Sequence, residues 1–319
     1  MRIVFFGTPA YAVPTLERLV GGPHDVVAVV SQPDRPRGRG RARLPSPVAA
    51  RALELGIPLL RPERVGDAEV AESLRRCEPD IGVVVAFGQF LPRRIRELPS
   101  LGLLINAHAS LLPRYRGAAP INHALLAGER VTGVSVMRVD REMDAGPILL
   151  ARSLEIAADE NAGELSRRMA ALSADVIAEA LERIADGRAE WTAQDASQAT
   201  FAPKIEAADT WIDWCEPAEQ IARRVRALAP SPGARTTCQG ETLRILASHA
   251  EPGASGCTPG TARRDREGAL RVSTVDGWLV VRRLQRAGGK PLDVADYLRG
   301  RSIPDGTCLG REGAKATRC

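Results

Sequence analysis

The sequence lacks several features that define whole classes of protein. Its longest apolar run, Ile81–Gly88, falls well short of the roughly 20 residues that a membrane span needs. At the N-terminus Arg2 is followed only by Ile3-Val4-Phe5-Phe6 before Gly7-Thr8-Pro9 interrupts the run, whereas a secretory leader needs an apolar stretch of about 7–15 residues. A cytoplasmic protein is the expectation. The six cysteines (Cys77, Cys215, Cys238, Cys257, Cys308, Cys319) form no C-x-x-C pair and have no histidine at ligand spacing, so no metal is expected and all six read as free thiols. Nucleotide fingerprints are missing too. Gly7-Thr8-Pro9 follows the first apolar run without G-x-G-x-x-G, and G-x-x-x-x-G-K-[ST] occurs nowhere, which argues against nicotinamide dinucleotides and P-loop nucleotides. Aromatics are 4%, and the only lysines are Lys204, Lys290 and Lys315.

What the chain does have is enough apolar sequence to fold. Its 319 residues are 44% hydrophobic and 26% charged, which predicts one large or two medium globular domains. The net charge of +5 is unevenly spread: residues 205–319 hold 18 Lys/Arg against 14 Asp/Glu. A second concentration lies in residues 31–45, where Arg35, Arg37, Arg39, Arg41 and Arg43 face one acid, Asp34. Alternating arginines among Gly38, Gly40 and three prolines cannot form a helix and predict a guanidinium-rich loop suited to phosphate contact. A solvated linker is the alternative reading.

The first 110 residues alternate β-branched runs with helical patterns. Arg2–Phe6, Val26–Val30, Ile81–Ala86 and Leu103–Asn106 read as strands buried on both faces. Ser46-Pro47 opens one intervening helix and Asp67 another. This alternation predicts an α/β fold with a doubly wound, mostly parallel sheet. Gly133–Val139 and Ile148–Ala151 read as a strand pair joined by a turn-rich segment, and Asn161 with Glu164 opens a long helix in capping-box spacing. Residues 189–208 lose periodicity and read as a linker between a domain over 1–188 and a second over 209–319. After one helix starting at Pro217, short alternating segments between Gly-rich turns predict a small β-barrel or sandwich. The tail after Arg301 is expected to be poorly ordered.

In such sheets ligands bind beyond the carboxyl ends of the strands. The densest polar cluster follows the Leu103–Asn106 strand. Asn106 and His108 are two residues apart, so in an extended segment both side chains leave the same side. An amide that donates to a developing oxyanion and an imidazole that carries a proton could then converge on one reacting atom. A hydrogen-bonded structural pair is the other reading. Asp144, in a turn after the next strand, could reach back to fix the His108 tautomer or take a proton through water; ordinary turn chemistry explains it equally well.

Taken together, Phe5-Phe6-Gly7-Thr8-Pro9, Gln32-Pro33-Asp34-Arg35-Pro36, Leu44-Pro45-Ser46-Pro47, Asn106-Ala107-His108, Ser110-Leu111-Leu112-Pro113-Arg114-Tyr115-Arg116-Gly117 and Asp144-Ala145-Gly146 resemble the methionyl-tRNA formyltransferase family. The resemblance runs over nearly the whole chain. It implies a Rossmann-like catalytic domain, an OB-like C-terminal barrel that helps hold tRNA, and formyl transfer from 10-formyltetrahydrofolate to the amino group of initiator methionyl-tRNA. Asn106, His108 and Asp144 would be the catalytic trio, and Ser110, Leu111, Leu112 and Pro113 would line the folate site. Arg35, Arg37, Arg39, Arg41 and Arg43 would meet the tRNA acceptor arm, with Arg39 foremost. No metal is implied, and a monomer is expected. A formyltransferase acting on a small amine shares the trio but has no need of the arginine loop or the basic second domain. A non-catalytic RNA-binding protein has no use for the trio.

Overall fold

The β-branched runs of the N-terminal half form strands whose side chains are covered on both faces, as in β1 (Arg2–Gly7), where Ile3 to Phe6 are all buried. The structure is a computed structural model and describes residues 1–37, 42–266 and 268–310. The chain divides into two compact units. One comprises Met1–Pro120, Val131–Glu155 and Ser166–Pro203; the other comprises Ile121–Arg130, Ile156–Leu165 and the chain from Lys204.

In the first unit β1 is followed by α1 (Val13–Val20), β2 (Asp25–Val30), a short ribbon of β3 (Arg35–Arg37) and β4 (Ala42–Leu44), α2 (Pro47–Glu54), β5 (Leu59–Leu60) and α3 (Ala68–Arg75). Then come β6 (Ile81–Val85), α4 (Arg93–Arg96), β7 (Leu104–His108), β8 (Val131–Arg138) and β9 (Ile148–Glu155); α5 (Pro120–Ala127), between β7 and β8, falls almost wholly in the second unit, and the long α6 (Ala162–Ala185) starts in the second unit and continues in the first from Ser166. The sheet order is β5-β2-β1-β6-β7-β8-β9. Strands β5 to β7 in that order run parallel, and β8 and β9 turn antiparallel. The chain builds outward in opposite directions from β1, so the crevice expected of a doubly wound sheet opens beside the carboxyl ends of β1 and β6. There Thr8 Oγ1 donates to the Phe87 carbonyl at 2.8 Å, and Gln32 Nε2 donates to the carbonyls of Phe87 and Gly88.

Local sequence rules account for the helix ends. Ser46 Oγ accepts from the Ala49 amide at 3.0 Å, with Pro47 as the first helical residue of α2. Asp67 precedes α3 but makes no capping bond through its side chain. At the start of α6, Asn161 Oδ1 accepts from the Glu164 amide and Glu164 Oε2 from the Asn161 amide, both at 3.1 Å, the reciprocal pair that the spacing predicts. Leu165, Met169, Val176 and Ala180 are buried along one stripe of α6.

The second unit carries α7 (Ala218–Leu228) and then β10 (Ala234–Cys238), β11 (Glu241–Pro252), β12 (Ala262–Arg264), β13 (Leu270–Ser273), β14 (Gly277–Arg286), β15 (Leu292–Asp293), α8 (Val294–Gly300) and β16 (Leu309–Gly310). The order β12-β13-β14-β11-β10-β16 is antiparallel throughout. The sheet curls until its ends meet at a bridge between Thr261 and Cys308, giving the small barrel-like domain that the alternating segments predict. Ile221, Val225 and Leu228 of α7 fill it together with Leu243, Ile245, Val272, Leu279 and Val281. Each such side chain contributes about 1.5–3 kcal/mol by leaving water.

Two expectations need correction. The segment after Arg301 is ordered as far as it is described, because Ile303 and Leu309 are buried in the barrel core and β16 pairs with β10. Two isolated apolar anchors among Pro, Gly and Asp give no periodic signal. Residues 311–319 lie outside the described residues. Cys77, Cys238, Cys257 and Cys308 are free thiols, but Cys215 is disulfide-bonded, against the expectation for all six; Cys319 lies outside the described residues.

Candidate active site

Strand β7 delivers Asn106 and His108 at the carboxyl edge of the sheet, between β6 and β8. Alternation along the strand puts both on the same face. The Asn106 carboxamide is half-buried and, among the described residues, has no hydrogen-bond partner. It is therefore an uncommitted donor.

His108 is only 6% exposed and is held from two sides. Its Nε2 lies 2.9 Å from the Tyr115 carbonyl oxygen. A carbonyl only accepts, so Nε2 carries the hydrogen and Nδ1 is turned the other way. Facing Nδ1 at 3.6 Å is Oδ2 of Asp144. That carboxylate oxygen also accepts the Gly117 amide at 2.9 Å. Both partners of the imidazole come from residues with left-handed backbone, Tyr115 at φ +59° and Asp144 at φ +52°. Non-glycine residues in this region cost free energy and cluster where the surrounding structure fixes a functional geometry.

Gly117 is required by its surroundings. Its φ is +120°, and a Cβ there would lie 2.7 Å from the Ala202 carbonyl oxygen. The segment 192–202, part of the stretch that reads as a linker, lies beside this loop. Thr200 Oγ1 accepts the Tyr115 amide at 2.8 Å, the Thr200 carbonyl accepts the Arg116 amide at 2.8 Å, and the Ala202 carbonyl accepts the Ala119 amide at 3.1 Å.

The residues expected to line a folate site divide into two pairs. Ser110 turns inward, its hydroxyl donating to the Arg114 carbonyl at 2.6 Å, and Leu112 is buried. Leu111 and Pro113 are half-exposed. Ser135 of β8 ties this segment to the sheet, accepting from the Leu112 amide at 3.0 Å and donating to the Ser110 carbonyl at 2.8 Å. Gly133 admits Leu111: a Cβ there would come within 2.6 Å of Leu111 Cδ2. Elsewhere in the same unit, burial pushes the Tyr11 phenol up to about 12, and its hydroxyl lies 2.8 Å from Ser173 Oγ. Tyr11 is thus neutral and structural.

The basic loop forms a ribbon, with Arg35 opposite Leu44 and Pro36 opposite Arg43. Arg35 and Arg43 are exposed. The one acid of the loop, Asp34, is taken up by Arg61, whose Nη1 donates to both carboxylate oxygens at 2.7–2.8 Å. Arg39 and Arg41 lie outside the described residues. Among the described residues no group of three or more His, Cys, Asp or Glu could hold a metal ion, and no helix is long and apolar enough to cross a membrane.

The chain matches the formyl transferase family over residues 1–181 and the formyl transferase C-terminal domain over residues 204–302. The methionyl-tRNA formyltransferase of Pelobacter propionicus is 45% identical over 308 residues, covering 97% of this chain and 96% of that protein. The protein of the same name from Halorhodospira halophila is 46% identical over 305 residues, covering 96% of this chain and 98% of its own. The chain belongs to the methionyl-tRNA formyltransferase family. Among solved structures, HypX from Aquifex aeolicus in complex with tetrahydrofolic acid superposes with a TM-score of 0.62 at 19% identity. It covers 93% of this chain, while the chain spans only about half of HypX (47%), and that likeness is one of fold. Acyl transfer in general needs a hydrogen-bond donor for the developing oxyanion and a proton carrier for the leaving group, both about one carbon.

Sequence reasoning singled out neither Thr200 nor the Tyr115 carbonyl: the first lies in an aperiodic segment and the second is a backbone group, and neither leaves a pattern. Tyr115 and Arg116 were visible only as members of a motif.

Proposed function

We propose that Asn106, His108 and Asp144 carry the formyl transfer, with the donor seated along Leu111 and Pro113. The protein transfers the formyl group of 10-formyltetrahydrofolate to the α-amino group of methionine on initiator methionyl-tRNA, for translation initiation. The observation that carries the activity is the 45% identity over 97% of the chain to a methionyl-tRNA formyltransferase.

The nucleophile is the neutral amine. Free α-amino groups titrate near about 7.7–8.0, and an ester neighbour lowers that further, so no strong base is needed to generate the attacking form. The demanding steps are charge development on the formyl oxygen and delivery of a proton to the leaving nitrogen. Asn106, the uncommitted donor, stabilises the oxygen. His108 and Asp144 form the proton-carrying pair, with the Tyr115 carbonyl fixing the tautomer and the Gly117 amide fixing the carboxylate. Leu111 and Pro113 offer an apolar shelf of the kind a flat heteroaromatic ring needs.

In the same reading residues 1–188 hold the chemistry, and the arginine ribbon with the basic domain over 209–319 engages tRNA. The protein works as a monomer in the cytoplasm, where translation supplies its acceptor. The test is formyl transfer to charged initiator methionyl-tRNA. The unsubstituted protein turns over, and Asp144→Asn, which keeps shape but removes the charge, lowers kcat about 100-fold with donor affinity retained. A kcat within about threefold of the unsubstituted protein would remove Asp144 from the mechanism.

A further inference from the structure

We propose that Gln194, backed by Arg116, is a positioning residue for formyl transfer, one that holds the Asp144 turn so that its carboxylate faces His108. The proposal rests on His108 and Asp144 being the proton-carrying pair.

The turn between β8 and β9 is exposed over Arg141–Met143, with Met143 at 73%, and Asp144 has left-handed backbone at φ +52°. Polar contacts hold its Asp144–Gly146 arm. Gln194 Nε2 donates to the Asp144 carbonyl at 2.8 Å and to the Gly146 carbonyl at 2.7 Å, thereby spanning the turn. On its other side Gln194 Oε1 accepts from Arg116, from Nε at 3.1 Å and from Nη2 at 2.7 Å. This fixes the amide orientation. A flipped amide would set its NH2 against a guanidinium, which has only donors, and its oxygen against two carbonyls, which only accept.

The contacts also close on themselves. Arg116 is 8% exposed and lies between Tyr115, whose carbonyl holds His108, and Gly117, whose amide holds the Asp144 carboxylate. The 115–117 loop therefore grips the histidine, the carboxylate and, through Gln194, the backbone that carries the carboxylate. A site of this kind tolerates little displacement: about 1 Å of misplacement can cost on the order of 100-fold in rate.

Gln194→Glu is the informative substitution. It keeps the acceptor for Arg116 and replaces the donor by an oxygen facing two carbonyls. Gln194→Ala is the second variant. Gln198→Ala is the control: Gln198 is an exposed neighbour whose side chain, among the described residues, bonds Asp195 at 2.8 Å. Single-turnover transfer should fall about 10–100-fold in both Gln194 variants, with KM for donor and tRNA within about threefold and Gln198→Ala unchanged. Adding Gln194→Ala to Asp144→Asn should then cost less than about twofold, since no carboxylate remains to be aimed. Retained turnover in Gln194→Glu, an effect confined to KM, or a full Gln194→Ala penalty on top of Asp144→Asn would each overturn the proposal. If Asp144→Asn alone keeps its turnover, the proton-carrying pair itself is wrong, an outcome distinct from failure of the Gln194 role.

Discussion

Replacing Asn106 or His108 by alanine is expected to lower single-turnover formyl transfer by about 10²–10³-fold each while the dissociation constant for tRNA stays within about twofold. The two effects arise differently. Asn106 is half-buried and uncommitted among the described residues, so its truncation removes a donor needed only when charge develops on the formyl oxygen. That is transition-state stabilisation, and its removal appears in kcat. His108 is 6% exposed and bound on both ring nitrogens' sides. Its truncation removes the proton carrier and leaves the Asp144 carboxylate with the Gly117 amide but without the ring it faces. His108→Asn, which keeps a hydrogen bond to the Tyr115 carbonyl but cannot carry a proton at neutral pH, should be as slow as His108→Ala. Equal folding midpoints with rates near that of the unsubstituted protein in either alanine variant would contradict the assignment.

The arginine segment should give the opposite signature. Serine at Arg35, Arg37, Arg39, Arg41 and Arg43 is expected to weaken tRNA binding about 100-fold at low salt and to flatten its salt dependence. The logarithmic slope should fall by roughly one for each phosphate that is no longer neutralised. At saturating tRNA, kcat should be unchanged. The structure supports a charge-display role: Arg35 and Arg43 are exposed, and since they sit at non-opposite ladder positions they project to opposite faces of the ribbon. Asp34, which would otherwise neutralise part of this charge, is engaged by Arg61. An unchanged salt slope would make the ribbon a linker.

The fold was largely legible because its strands and caps follow local rules. Ile81–Val85 is a continuous apolar run, β-branched at every position but Gly82, as a strand covered on both faces requires, and the Asn161–Glu164 pair marks the start of α6 by spacing alone. The site was half legible. Asn106 and His108 announce themselves by the two-residue period of β7, and Asp144 by its turn. Their supports do not, because Tyr115 acts through a carbonyl, Gly117 through an amide, and Gln194 and Thr200 from 50 and 85 residues away along the chain. Such interactions are set by tertiary packing and leave no periodic trace. The arginine segment showed the converse: nothing in its composition marked the pairing of Arg35–Arg37 with Ala42–Leu44, which alternate residues on an exposed ribbon can make without apolar patterning.

Formyl transfer onto a charged tRNA is checked by offering the purified protein 10-formyltetrahydrofolate with charged initiator methionyl-tRNA, free methionine and an amino-sugar nucleotide as competing acceptors. Formyl product on the charged tRNA alone is the predicted result. Product on either small amine in preference to the tRNA, or on no acceptor at all, would contradict it.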